Sequence, residues 1–221
     1  MKKIAAIAGL AAVAASGVAS ADFTSVTAIA TETTTQGEAT VTYLLFANFD
    51  NPVDRLLAIS GNDTVSPLMF TADRPLVQDT TIFIGTGLHD TPAVAAIAGA
   101  NDSWVTIGGD YANGFSDTSF SPGFLGGGPG DLISGSSFVQ ETNGGYFDEN
   151  PGTTENGGTV AIAQFTLAAD VSVAEYMGTV DYVNAAGEQI SEAFSINLIP
   201  APGALALLGL AGLAGTRRRR G

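Results

Sequence analysis

Glu38-Ala39-Thr40-Val41-Thr42-Tyr43-Leu44-Leu45-Phe46-Ala47-Asn48-Phe49 is the stretch whose reading decides the fold. In an extended chain Val41, Tyr43, Leu45 and Ala47 fall on one face, and Thr40, Thr42, Leu44 and Phe46 on the other. Successive side chains alternate across a strand, so apolar groups on both faces place this segment inside a sheet rather than at its rim. Asn48 to Pro52 then supplies turn chemistry.

Working outward, residues 23–31 alternate in the same way and lead into a Thr/Gln/Gly turn at 33–37. Residues 55–60 resume the pattern, closed by Gly61-Asn62-Asp63. Shorter candidates follow at 65–70, 80–84 and 104–107, and the set ends with 159–168, 178–183 and 192–198. About nine short strands separated by turn residues predict an all-β chain, an antiparallel β-sandwich. Residues 91–100 depart from the pattern. Pro92 suits a first helical turn after a cap at Asp90 or Thr91, and Ala93 to Ala98 would continue a short helix before Gly99. Residues 108–158 read as a long Gly/Asn/Asp-rich loop region, with aromatics such as Tyr111, Phe120, Phe124 and Tyr146 to pin it to the sheet.

The two ends read differently from the middle. Lys2 and Lys3 precede an apolar core at 4–15, and Ala19-Ser20-Ala21 is a small-residue cleavage site. Residues 1–21 are therefore expected to be a signal peptide removed by signal peptidase, leaving Asp22 as the new N-terminus. At the other end Pro200-Ala201-Pro202 is followed by an apolar run at 204–215 and by Arg217, Arg218, Arg219 and Arg220. A transmembrane-type helix from Pro202 to Thr216 would have about 15 residues and reach roughly 22 Å. A bilayer core is about 30 Å thick, so the span is marginal even with arginines snorkelling to the headgroups. The guanidiniums resist crossing and act as a membrane stop. A short span behind a stop is better suited to a processed signal than to a permanent anchor.

Signal peptide, exported domain, proline motif, short apolar helix and terminal Arg cluster, in that order, resemble a PEP-CTERM sorting protein. The resemblance covers 198–221 and leaves 22–197 untouched. Pro200 and Pro202 match the prolines of the family's motif, and Ala201 stands where its glutamate usually is. The Pro-Ala-Pro form looks like the variant of planctomycete-type bacteria. The resemblance implies recognition by an exosortase-type membrane enzyme, and delivery to the cell surface or extracellular matrix.

Between these signals the composition is extreme. Six of the eight basic residues lie in the terminal segments, so 22–197 keeps Arg55 and Arg74 against all 22 acids, a formal balance of −20. Such a surface repels nucleic acid and anionic headgroups. Cysteine is absent, so the exported domain relies on its core.

Motifs with catalytic chemistry are scarce. The glycine-rich segment 126–131 lacks the Gly-Lys-Ser/Thr of a phosphate loop. With His89 the single histidine and no cysteine, familiar zinc sites and Ser-His or Cys-His triads are nearly ruled out. Paired carboxylates of a glycosidase cannot be read from spacing alone. Trp104 is a candidate sugar-stacking platform, though a lone strand tryptophan is more often core. Calcium is the cation that loop oxygens would suit, with Asp102, Asp148 and Glu149 as the candidate ligands. The Thr-rich stretch 31–35 shows no repeat, which argues against an ice-facing array. Two classes follow. The first is a non-catalytic exported surface or matrix protein, and the alternative is a small secreted carbohydrate-binding or carbohydrate-cleaving domain.

Overall fold

The computed structural model describes residues 22–77, 101–108, 118–121, 124, 137–140, 144–149 and 158–199. These form strands β1 (Phe23–Thr35), β2 (Glu38–Phe49), β3 (Arg55–Gly61), β4 (Leu68–Ala72), β5 (Trp104–Val105), β6 (Thr118–Phe120), β7 (Ser137–Gln140), β8 (Gly144–Asp148), β9 (Thr159–Ala168), β10 (Ala174–Val183) and β11 (Gln189–Asn197). Among the described residues there is no helix. The helix expected at 91–100, the strand at 80–84 and the C-terminal helix all lie outside the described residues.

Every pairing is antiparallel, and the strands form two sheets. The first has the order β1-β2-β9-β5. In the second, β10 pairs β11 along one edge, while its other edge carries β3 at 179–183 and β4 at 174–177. β3 and β4 are thus two halves of one interrupted strand, as are β8 and β7, which pair them in turn. β6 closes the outer side of β8. The interruption between β3 and β4 is a loop pinned by the Asn62–Ser66 bridge. Pro67 has no N–H to give a ladder, so the strand expected at 65–70 begins instead at Leu68.

β2 lies between β1 and β9, as its two apolar faces require. Thr35 pairs Glu38 across a two-residue hairpin loop in which Gln36 and Gly37 both have positive φ (53° and 86°). That geometry matches the right-handed twist of the flanking strands. Strand β1 consequently continues to Thr35, beyond the 23–31 expected from sequence.

The two sheets meet across one core. Tyr43, Leu45 and Phe49 of β2 and Phe165 and Leu167 of β9 are buried together with Leu56, Ile59, Phe70, Tyr176 and Val180 of the second sheet. Phe165 packs 5.0 Å from Phe70 and 5.0 Å from Tyr176, and Phe49 lies 5.3 Å from Tyr182. Each such side chain contributes about 1.5–3 kcal/mol when fully buried. The Tyr146 hydroxyl donates to the Ile162 carbonyl at 3.0 Å and lies 2.9 Å from the Tyr176 hydroxyl, so the core carries a polar tie between the sheets. Burial holds both phenols protonated far above the usual tyrosine range.

On the opposite face of the first sheet the threonines form a hydroxyl ladder. Thr33 lies 2.7 Å from Thr40, Thr35 lies 3.0 Å from Thr40, and Thr42 lies 2.8 Å from Thr166. The Thr-rich stretch of β1 is thereby committed in part to cross-strand hydrogen bonds.

The region read as loop contains three strands, β6, β7 and β8. Gly145 sits in β8 because a Cβ there would come within 2.1 Å of the Ile59 carbonyl oxygen. Gly178 lies inside β10 rather than at its start, since Leu68 and Phe194 would each approach a Cβ to 2.9 Å. In both places glycine marks a close approach, not a strand end.

Candidate functional site

Two features of the described domain have the form of sites. The first is a pocket of about 480 Å³ where the β1–β2 hairpin overhangs the end of the core. Its lining includes Ala30 and Glu32 of β1, Val41 and Tyr43 of β2, Leu167 of β9 and Ile199 beyond β11. Alternation puts the even-numbered residues of β1 and the odd-numbered residues of β2 on the core side, and beyond the end of the core they line a cavity. The lining is largely apolar, with the Tyr43 phenol and the Glu32 carboxylate as polar handles. Burial raises the Tyr43 pKa, so its hydroxyl is a hydrogen-bonding group and not a base at neutral pH.

The second is a group of acids at the opposite end of β2. The turn after β2 is shaped by Asn51, whose side chain accepts from the Val53 N–H at 3.1 Å and whose carbonyl accepts from the Asp54 N–H at 3.2 Å. This Asx turn drives Asp54 inward, to 0% exposure. Neither Asp54 carboxylate oxygen has a hydrogen-bond partner. Burial raises its pKa and the charges of Asp50 and Asp22 add to the rise, while the backbone N–H of Ala185 works against it. Asp22 joins the group through two contacts with Asp50. Its N–H donates to Asp50 Oδ1 at 2.9 Å, and the Asp50 N–H donates back to the Asp22 carbonyl at 3.4 Å.

The residues singled out from sequence are dispersed. Trp104 is 4% exposed, paired with Gln164 on β9, and presents little ring surface to solvent. Asp102 is 0% exposed, and its backbone carbonyl accepts from Gln164 Nε2 at 2.7 Å. Trp104 belongs to the first sheet, and Asp102 lies two residues before β5. Asp148 ends β8 in the second sheet, buried opposite Thr118, and the adjacent Glu149 accepts a hydrogen bond from Ser119. Among the described residues no group of three or more acidic, His or Cys side chains is gathered to hold a metal ion. Ala19, Ala21, Pro200, Ala201, Pro202 and the four terminal arginines lie outside the described residues.

Sequence reasoning missed both the pocket and Asp54. The pocket depends on how far the hairpin overhangs the second sheet, which no local pattern records. Asp54 follows a turn that was legible, Asn51-Pro52, but nothing local marks its carboxylate as buried.

No protein-family model matches the chain, and comparison with curated proteins and with solved structures gives no match.

Proposed function

We propose that the chain is an exported, non-catalytic surface or matrix protein, passed by its C-terminal segment to an exosortase-type sorting enzyme. The observation that carries this reading is the order of signals at the two ends. A basic and apolar leader with an Ala-x-Ala site stands first, and Pro200-Ala201-Pro202, the apolar run and four arginines stand last. The proline motif also follows directly on the last described strand. β11 ends at Asn197, Leu198 is buried with its N–H bonded to the Ala174 carbonyl at 2.9 Å, and Ile199 leads straight into the proline motif. The strong negative charge of 22–197 keeps such a domain soluble outside the cell and away from anionic lipid.

The test is fractionation of cells making either the native chain or a variant with Arg217, Arg218, Arg219 and Arg220 all changed to Ala. The native chain is expected at the cell surface with the residues after the proline motif removed. Without its stop, the variant is expected in the medium with the C-terminal run intact. Identical distribution and processing of the two chains would overturn the proposal.

A further inference from the structure

We infer that removal of the leader completes an ion pair within the domain: the α-ammonium created on Asp22 seats against the carboxylate of Asp50, in the field of the Asp22 and Asp54 charges. The inference rests on the proposed cleavage after Ala21. Water adds across the Ala21–Asp22 peptide bond, Ala21 departs with the new carboxylate, and the Asp22 nitrogen keeps its place and takes up a proton. What had been a neutral donor with one hydrogen becomes a cation with three.

The geometry for this is already present. The Asp22 nitrogen lies 2.9 Å from Asp50 Oδ1, and the returning bond from the Asp50 N–H at 3.4 Å fixes the two segments against each other. Asp54 adds to the excess of negative charge at this end. It is wholly buried, the Ala185 backbone N–H gives its carboxylate only partial relief, and the charges of Asp50 and Asp22 both bear on it. An unmatched buried carboxylate is among the costliest groups a fold can carry, and an opposite charge is the direct remedy. Arg55, next in the chain, forms no ion pair with these acids, and its Nε is itself buried without a partner. A tethered ammonium fits because its nitrogen is held in position by the start of β1.

The other groups facing this end of the domain are Tyr182 of β10 and Glu192 of β11. The Tyr182 hydroxyl accepts from the Phe23 N–H at 3.2 Å and donates to Glu192 Oε1 at 2.7 Å, so it stays protonated and holds Glu192 in place. Burial keeps that phenol above the ordinary range. The acids raise the affinity of the α-amine for its proton. The pair therefore contributes fully below the unfolded α-amine pKa of about 7.7–8.0 and is lost as pH rises through the higher folded value.

The sequence provides an unusually clean probe. Lys2 and Lys3 are the chain's lysines and leave with the leader, so the α-amine of the processed chain is its sole primary amine. The experiment measures acylation of exported protein by an amine-reactive ester across pH, with intact mass fixing the N-terminus. At pH 8, labelling of the folded chain is expected to be at least tenfold slower than in guanidinium, with a midpoint at least one unit higher. Asp50→Asn with Asp54→Asn is expected to restore the unfolded rate. A second comparison needs no substitution: acetylating the α-amine should lower Tm near pH 7 and make no difference above the folded midpoint. A chain that begins at Asp22 yet labels at the unfolded rate would overturn the ion pair and leave the cleavage standing. A mass that retains residues before Asp22 would overturn both.

Discussion

Replacing Phe165 with Ala tests the joining of the two sheets at the residue where most of it converges. The side chain is 0% exposed, belongs to β9 of the first sheet, and touches Phe70 of β4 and Tyr176 of β10 in the second, each at 5.0 Å between ring centroids. Deleting a buried Phe ring costs about 3–5 kcal/mol, transfer and cavity together. Two aromatic contacts, at about 0.5–1.5 kcal/mol each, place this site towards the upper end. Its neighbours come from two hydrogen-bonded sheets and cannot easily close the void. A domain of this size has about 5–15 kcal/mol of total stability, so the loss is a large part of it. At roughly 2–4 °C per kcal/mol, Tm should fall by about 6–20 °C. Calorimetry and urea unfolding with linear extrapolation measure the change, and Ile29→Ala on the exposed face of β1 is the control. Ile29 is 59% exposed, and its loss should stay within about 0.5 kcal/mol. A Phe165→Ala cost below about 1 kcal/mol would refute the reasoning, because it would mean that the sheets do not share this core.

Further outcomes follow from single contacts. Gly145→Ala should cost more than about 3 kcal/mol or prevent folding, because the new Cβ meets the Ile59 carbonyl at 2.1 Å and backbone cannot turn aside as a side chain can; denaturant melts of the purified variant decide it. Tyr146→Phe removes the bond to the Tyr176 hydroxyl and one of two donors to the Ile162 carbonyl, which keeps the Thr106 N–H at 3.0 Å, and should lose about 0.5–1.5 kcal/mol by the same measurement. Asp73 is held below the usual carboxylate range, chiefly by the Ser172 hydroxyl at 2.5 Å and then by the Ser172 N–H at 3.0 Å. A lowered folded pKa gives stability that is present above the unfolded value and lost as pH falls through the folded one. Asp73→Asn should therefore lower Tm at neutral pH and match the native chain once pH has fallen below the lowered folded value, a modest effect for so exposed a group.

How much of this was legible in the sequence depended on how local the cause was. β2 and β9 were readable because alternation or continuous apolar character runs their full length, and β9 was bounded at 159–168 as the structure has it. The all-β class followed from such segments together with the turns between them. β6, β7 and β8 were hidden because they are three to five residues long and two of the residues in β8 are glycines. There a backbone approach from β3 selects glycine, and composition alone reads the same residues as loop. The strand expected at 178–183 starts earlier, at Ala174, and Gly178 lies inside it because the side chains of Leu68 and Phe194 fill the space a Cβ would need. The acid group was invisible for a related reason. Asp22 and Asp50 are 28 residues apart and are joined only by the pairing of β1 with β2.

The most direct test of the account as a whole is the intact mass of the native protein, recovered separately from cytosol, envelope and medium. The account predicts a chain outside the cytosol that begins at Asp22 and has lost the terminal arginines. Protein found in the cytosol with Met1 and Arg220 still attached would contradict it.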